Sequence, residues 1–235
     1  MIQLVVATGN AHKLGEIKAV LGAGHRYLSL GDFPAAPKVR EDAATFAANA
    51  RKKAVGLAAW LFDQRGQPSL NIQRDSAVCV LADDSGLEVD FLNGAPGVHS
   101  ARFAALDTSS GNSLDEANNA KLLNLLAGID PQRKTGRFRC VIALTSIPTP
   151  GNSESSTGVP DWDVATKIFE GVCEGRIAEG PRGKSGFGYD PLFIPTGHTE
   201  SFAELGEDIK NQFSHRARAL AKLKEYLLSI ESLEC

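Results

Sequence analysis

Residues 3–21, QLVVATGNAHKLGEIKAVL, place a short apolar run directly before a tight turn and a helical pattern. The run from Gln3 to Ala7 has the continuous apolar character of a buried strand. After the turn at Thr8-Gly9-Asn10, apolar residues recur at helical spacing, at positions 14, 17, 20 and 21. A strand that leads through a tight turn into a helix begins an α/β unit, so this segment predicts an α/β fold.

The remaining pattern predicts a long mixed sheet with flanking helices. Helices are expected over 43–61, 113–126 and 214–230, with N-caps at Thr45, Ser113 and Ser214 and a capping box between Ser113 and Glu116. Strands are expected over 77–82, 87–92, 137–145, 166–169 and 172–178. A turn at Asp83-Asp84-Ser85-Gly86 is expected to separate the first two of these strands.

The composition excludes several classes of protein. The 235 residues are 43% hydrophobic and 23% charged, which is typical of a soluble globular protein. A net charge of −3 argues against nucleic-acid binding, which usually needs a basic excess. No apolar run suits a membrane span or a signal peptide. The four cysteines include no C-x-x-C pair, so we expect no cysteine zinc site and no disulfide framework, but reduced thiols and a cytoplasmic location.

Two segments have residues suited to phosphate and metal. Thr8 to Lys13 lies at a helix start, where backbone N–H groups favour an anion, although short Gly-Asn turns are common without any ligand. Asp83 and Asp84 follow an apolar strand, and Glu41 lies upstream. Mg²⁺ prefers one or two carboxylates together with substrate phosphates and water, whereas a pair of Asp residues can also simply cap a turn.

A third segment, residues 183–191, combines three glycines, Phe187, Tyr189 and Asp190. Glycines permit close backbone approach, aromatic rings can stack on a base, and a carboxylate can accept from a base N–H. A glycine-rich hairpin with core aromatics is the simpler interpretation of this segment alone. Four basic or polar residues lie at or just before the start of the last helix: Lys210, Ser214, His215 and Arg216. Positive charge there opposes the helix dipole, so a solvated helix start explains these residues poorly.

Taken together and in order, these segments resemble the inosine triphosphate pyrophosphatase family, also called Ham1-like. The matching segments are Ala7-Thr8-Gly9-Asn10 with Lys13, Thr45-Phe46 and Asn49-Ala50 with Lys53, Ala82 to Leu87, Gly94 to Gly97 with Ser100-Ala101-Arg102, Gly186 to Pro191, and Lys210 with Ser214-His215-Arg216. The resemblance extends over nearly the whole chain. Each segment alone is common, but their joint order is specific.

The resemblance implies a single domain over residues 1–235, with two lobes around a central cleft, and usually a homodimer. It implies hydrolysis of the nucleoside triphosphates ITP, dITP and XTP to the monophosphate and pyrophosphate, with Mg²⁺. By resemblance, the catalytic residues are Asp84, Asp83, Lys13 and Lys53, and the metal ligands are Asp84 and Glu41. The substrate-binding residues it implies are Thr8, Gly9, Asn10, Ala11, His12, Lys13, Asn49, Ser85, Phe187, Gly188, Tyr189, Asp190, Lys210, His215 and Arg216.

Two positions depart from the family pattern. Ala48 stands where the family commonly has Glu, and Arg40-Glu41-Asp42-Ala43 replaces the usual glutamate-and-glycine stretch. Residues 63–75 and 148–163 are expected to be polar insertions. Two alternatives stay open: a nucleotide pyrophosphatase of other base preference, such as the pyrimidine-directed Maf type, and a nucleotide-binding member with weak catalysis, which Ala48 would favour.

Overall fold

The computed structural model describes residues 2–64, 72–73, 76–107, 112–148 and 160–231. The strands are β1 (Gln3–Val6), β2 (Arg26–Ser29), β3 (Val78–Val89), β4 (Thr135–Ile147), β5 (Thr166–Ile177) and β6 (Phe193–Pro195). The α-helices are α1 (Ala11–Leu21), α2 (Phe46–Gln64), α3 (Asp115–Leu125), α4 (Phe202–Leu205), α5 (Glu207–Phe213) and α6 (His215–Glu231). No helix in these ranges is both long and apolar enough to cross a membrane.

The six strands form one mixed sheet in the order β2-β1-β3-β4-β5-β6. Strand β1 is parallel to both of its neighbours, β2 and β3. Strand β6 is antiparallel to β5. Backbone hydrogen bonds from Ile177 N to Lys134 O and from Ser146 N to Ala165 O join opposite ends of β4 and β5, as antiparallel pairing requires. The predicted α/β class with a mixed sheet is therefore confirmed.

The predicted turn at residues 83–86 is wrong, because β3 is one continuous strand through this segment. Asp83 and Asp84 are only 2% and 7% exposed and lie inside the strand. Sequence reasoning placed a turn there because Asp, Ser and Gly in succession are a common turn signal. In the folded chain, Lys13 and Asn49 contact these carboxylates and allow both to be buried.

The predicted break between two strands near residue 170 is also wrong, since β5 continues from Thr166 to Ile177. Gly171 lies within this strand where the first turn of α6 approaches closely. A Cβ at Gly171 would lie 2.1 Å from the carbonyl oxygen of His215. The glycine therefore permits contact between a strand and a helix, and does not mark a turn.

The capping box predicted for the third helix does not form. Helix α3 begins at Asp115, and its N-cap residue has no side-chain cap. The Ser113 hydroxyl instead accepts a hydrogen bond from Ala105 N at 2.8 Å. A tertiary contact has thus replaced the local hydrogen bond that the Ser113 and Glu116 spacing suggested.

The other two predicted N-caps are confirmed. Thr45 Oγ1 accepts from Ala48 N at 3.2 Å at the start of α2. Ser214 Oγ accepts from Ala217 N at 3.2 Å at the start of α6. Of the two predicted insertions, residues 63 and 64 belong to α2, and most of both segments lies outside the described residues.

The chain forms two compact units. The first comprises Met1–Asp84, Val141–Phe169 and Leu223–Cys235, and the second comprises Ser85–Cys140 and Glu170–Lys222. In the first unit, β1 is fully buried and α2 buries one apolar face. The second unit has an aromatic core. A single domain with two lobes around a central cleft stays a prediction.

Candidate active site

The first unit holds a group of charged and amide side chains that we call the carboxylate cluster: Lys13, Glu41, Asn49, Lys53, Asp83 and Asp84. The two aspartates are neighbours in β3, and successive strand residues point to opposite faces. Lys13 Nζ lies 2.9 Å from Asp83 Oδ1 as an ion pair. Asn49 Nδ2 donates to Asp84 Oδ2 at 3.0 Å. Each carboxylate therefore has a different contact.

Helix α2 positions the amide that contacts Asp84. Its first turn is capped by Thr45, and Asn49 lies in the next turn. Asn49 Oδ1 accepts from Ala43 N at 2.9 Å, which fixes which end of the amide faces the strand. The amide is thus oriented by the segment that precedes the helix, and its N–H group is directed at the carboxylate.

Lys53 lies one turn further along α2 and joins two parts of the cluster. Its Nζ donates to Glu41 Oε2 at 2.7 Å and to the carbonyl oxygen of Asp83 at 2.7 Å. The Lys53 side chain is only 12% exposed. Such a shielded ammonium keeps a strong local field, since solvent screens it weakly. Lys53 thus joins Glu41 to the backbone of β3 at Asp83, and the predicted metal pair of Glu41 and Asp84 stays a prediction.

Burial raises the pKa of Asp84 above its usual range. The positive charges of Lys53 and Lys13 and the hydrogen bond from Asn49 oppose that shift, and the negative charge of Glu41 adds to it. A buried carboxylate with a raised pKa holds a proton more readily than an exposed one. Such a group is a candidate general base, because a higher affinity for protons favours the acceptance of a proton from water.

The carboxylates fit a Mg²⁺ ion that is bound together with a nucleotide. Among the described residues, no group of three or more His, Cys, Asp or Glu side chains could hold a metal alone. Mg²⁺ does not need such a group, since it usually keeps waters and takes one or two carboxylates plus substrate phosphates. Asp84 and Glu41 also repel each other electrostatically, and a cation would relieve that repulsion.

The turn before α1 forms a capped helix start, and its binding of an anion stays a prediction. Asn10 is the N-cap, and its Oδ1 accepts from Lys13 N at 3.2 Å. Asn10 N in turn donates to Thr8 Oγ1 at 3.1 Å. Gly9, Ala11 and His12 are exposed beside this helix start. Sequence reasoning assigned Asn10 only to substrate binding, whereas its oxygen also stabilises the turn.

The second unit contains a group that we call the base-loop cluster: Ser85, Phe187, Gly188, Asp190, Lys210, His215 and Arg216. Lys210 Nζ lies 2.7 Å from Asp190 Oδ2, and each side chain is 2% exposed. Phe187 N donates to the same carboxylate oxygen at 3.0 Å. Lys210 Nζ also lies 4.5 Å from the centre of the Phe187 ring. The buried ion pair thus fixes the backbone and the ring of Phe187.

Two residues at the start of α6 have different contacts: Arg216 reaches Ser85 and Phe187, and His215 packs on Phe138. Arg216 is 1% exposed, donates to Ser85 Oγ at 2.8 Å, and lies 5.9 Å from the centre of the Phe187 ring. His215 stacks on Phe138, with ring centres 4.6 Å apart and an angle of 12° between planes. A buried guanidinium beside an aromatic ring is suited to bind a flat, electron-rich ligand.

Tyr189 has a different position from Phe187, although both were expected to present a ring face to a base. Tyr189 is 4% exposed and belongs to the aromatic core. Its hydroxyl donates to Ser100 O at 2.9 Å, and burial raises its pKa. Tyr189 therefore anchors the loop from inside, and Phe187, which is only partly buried, is the ring suited to stacking.

Sequence reasoning missed two residues at the same loop. Asp115 Oδ2 accepts from Gly188 N at 2.6 Å, and Asn119 Nδ2 donates to Gly188 O at 3.0 Å. The sequence held a signal for Asn119 only, because two adjacent asparagines, which are poor helix formers, lie inside the predicted helix.

Comparison with known proteins gives consistent matches over nearly the full length. A family model described as the Ham1 family matches residues 4–226. A relative from Geobacter sulfurreducens, named dITP/XTP pyrophosphatase, is 46% identical over 97% of each chain. One of the same name from Shouchella clausii is 43% identical over 96% of each chain. The structure of a HAM1 protein from Coxiella burnetii is 35% identical, with a TM-score of 0.74, over 97% of this chain and 100% of that one.

Proposed function

Since the chain belongs to the Ham1 family, we propose that it hydrolyses non-canonical purine nucleoside triphosphates, namely ITP, dITP and XTP, to the monophosphate and pyrophosphate. This activity would remove such nucleotides from the pool that polymerases use. The observation that carries the proposal is the carboxylate cluster. A buried aspartate with a raised pKa lies in the same cluster as two lysines.

In the proposed reaction, water attacks the α-phosphorus, the bond from that phosphorus to the oxygen that bridges the α- and β-phosphates breaks, and pyrophosphate leaves with that oxygen. Asp84, a buried carboxylate at the centre of the cluster, would accept a proton from the attacking water. Lys13 and Lys53 balance the negative charge of the triphosphate and of the leaving pyrophosphate. Most of the catalytic effect comes from positioning and electrostatics, as is usual in phosphoryl transfer.

The metal in this proposal is Mg²⁺, held by Asp84 and Glu41. When bound, such an ion neutralises phosphate charge and lowers the pKa of bound water. Lys53 holds Glu41 and Asn49 holds Asp84, and these contacts support the two carboxylates as its ligands. We assign the triphosphate to the exposed turn from Thr8 to Lys13, with its capped helix start.

Base selection is assigned to the base-loop cluster. Hypoxanthine and xanthine carry a 6-oxo acceptor, whereas adenine carries a donor at that position. Arg216 and His215 would donate to the 6-oxo group while the base stacks on Phe187. A site built to donate leaves its own buried groups unpaired with adenine, which makes discrimination large. Because Asp190 already binds Lys210 and Phe187 N, we assign it mainly to fixing the loop.

A substrate panel tests this function. Purified protein is incubated with ITP, dITP, XTP, ATP, GTP, dTTP and UTP, with and without Mg²⁺, and pyrophosphate and orthophosphate are measured separately. We expect Mg²⁺-dependent pyrophosphate release from ITP, dITP and XTP. Preference for dTTP or UTP would favour the pyrimidine-directed alternative, and tight ITP binding without turnover would favour a weakly catalytic member. Orthophosphate as the main product would contradict the proposal.

We further propose that the protein is a homodimer in the cytoplasm, where its substrates are made. The resemblance stated above supports the dimer, and sedimentation velocity would test it.

A further inference from the structure

Helix α3 holds both backbone groups of Gly188 with two of its side chains. Asp115 Oδ2 accepts from Gly188 N at 2.6 Å, and Asn119 Nδ2 donates to Gly188 O at 3.0 Å. Asp115 and Asn119 are four residues apart, so they share one face of the helix. We call this pair with Gly188 the α3 clamp. All three residues lie in the second unit.

The position that the clamp holds is conformationally unusual. Gly188 has a φ of 62°, a left-handed conformation that costs about 1–2 kcal/mol for a residue with a side chain. A Cβ at this position would meet nothing within 4 Å, so glycine is required by the backbone angle and not by lack of space. A backbone with so few local restraints needs outside contacts to remain in one conformation.

Gly188, which the α3 clamp holds, lies between two residues with different roles. Tyr189 is anchored in the core by its hydroxyl, and Phe187 presents the ring assigned to stacking. Phe187 is held on its other side by Asp190, which accepts from Phe187 N. Because α3 holds Gly188, the backbone has hydrogen-bond partners both before and after the Phe187 carbonyl group. The ring position is therefore set in part from α3.

We propose that Asp115 and Asn119 are positioning residues that set Phe187 for base stacking, so that they control affinity for the base without contacting the substrate. The proposal rests on the function proposed above, because it assigns the base to Phe187. Variants at Asp115 or Asn119 should therefore bind the nucleoside part of the substrate more weakly and should bind the pyrophosphate part as the wild type does. A role in folding alone would not separate these two effects.

The test measures two dissociation constants by calorimetry, one for inosine monophosphate and one for pyrophosphate. Asp115→Ala should raise the Kd for inosine monophosphate about three- to tenfold, the range that one hydrogen bond supports. Asp115→Asn keeps an acceptor for Gly188 N and should restore the Kd to within about twofold. The Kd for pyrophosphate should stay unchanged in both variants.

Glu116→Ala is the matched control. Glu116 is exposed and shares the first turn of α3 with Asp115, so its removal changes the same charge near the same helix start. This control should bind inosine monophosphate as the wild type does. Asn119→Leu removes the second half of the clamp at similar volume and should weaken binding in the same direction as Asp115→Ala.

Several outcomes would overturn the proposal. One is that Asp115→Ala binds inosine monophosphate as tightly as Glu116→Ala. Another is that pyrophosphate binding weakens by the same factor as nucleotide binding, because the effect would then be general. A wild-type chain that binds inosine monophosphate but releases no pyrophosphate from ITP would refute the proposed function and leave the clamp to be judged on binding. A wild-type chain that binds no inosine monophosphate would refute both.

Discussion

Replacing Lys210 with methionine would leave the buried carboxylate of Asp190 without its ammonium partner. The two groups lie 2.7 Å apart, and each side chain is 2% exposed, so water neither screens the pair nor replaces the lost cation. Methionine fills much of the lysine volume, which keeps the loss of packing small. Removing one partner of a buried ion pair costs about 3–5 kcal/mol, and we expect Lys210→Met to lower the free energy of unfolding by that amount.

Equilibrium urea denaturation measures this change, with the m-value checked for two-state behaviour. The matched control is Lys52→Met, which breaks an ion pair of similar length with Asp42 at 2.6 Å. There the side chains are 45% and 47% exposed, so the urea midpoint should hardly move. The double variant Asp190→Asn with Lys210→Met should recover part of the lost stability, because no charge is left buried. Equal midpoints for Lys210→Met and Lys52→Met would refute the reasoning.

Three further predictions concern the site. Arg216→Ala should lose the preference for ITP over ATP in relative kcat/KM, because the guanidinium is the assigned donor to the 6-oxo group; unchanged selectivity would contradict that role. Gly186→Ala should unfold at a lower urea concentration than Gly188→Ala. Both glycines have positive φ, but only at Gly186 would a Cβ clash, since it would lie 2.2 Å from Asp190 Oδ2. The reverse order of urea midpoints would contradict this reasoning. Chelation of divalent metal should abolish pyrophosphate release without lowering the urea midpoint. The reason is that Lys53 and Asn49 already hold the carboxylates of Glu41 and Asp84. A fall in the urea midpoint would show that the metal has a structural role.

The sequence predicted the parts of the fold that depend on local patterns. The strand, turn and helix over residues 3–21 form as the apolar spacing indicates. Thr45 and Ser214 cap the helices predicted to follow them, because their hydroxyls need only a backbone N–H three residues away. In these elements local preference and tertiary structure agree, and the prediction succeeds for that reason.

The predictions that failed depend on contacts between distant residues. Asp83 and Asp84 were placed in a turn, because the sequence does not show that Lys13 and Asn49 contact them inside the first unit. Ser113 was expected to cap α3, but it binds Ala105 N instead. Local sequence rules cannot predict such changes of hydrogen-bond partner, because tertiary packing determines which groups meet.

The candidate site shows the same division. Its residue types and order were visible in the sequence, whereas the distinction between Phe187 and Tyr189 depends on burial that the loop sequence alone does not reveal. Asp115 was not found, because a single exposed acid at a helix start is common and carries no information about Gly188.

The most direct test of the central claim is pyrophosphate release from XTP by the wild type and by Asp84→Asn. In this variant the introduced amide oxygen can still accept from Asn49, so the fold and the urea midpoint should be kept. The exposed Asp63→Asn in α2 serves as control for the loss of one negative charge. We predict that the rate falls about 10²- to 10⁴-fold in Asp84→Asn, the usual contribution of a general base, and stays at the wild-type value in Asp63→Asn. A rate for Asp84→Asn equal to that of the control would contradict the assignment of Asp84 as the catalytic carboxylate.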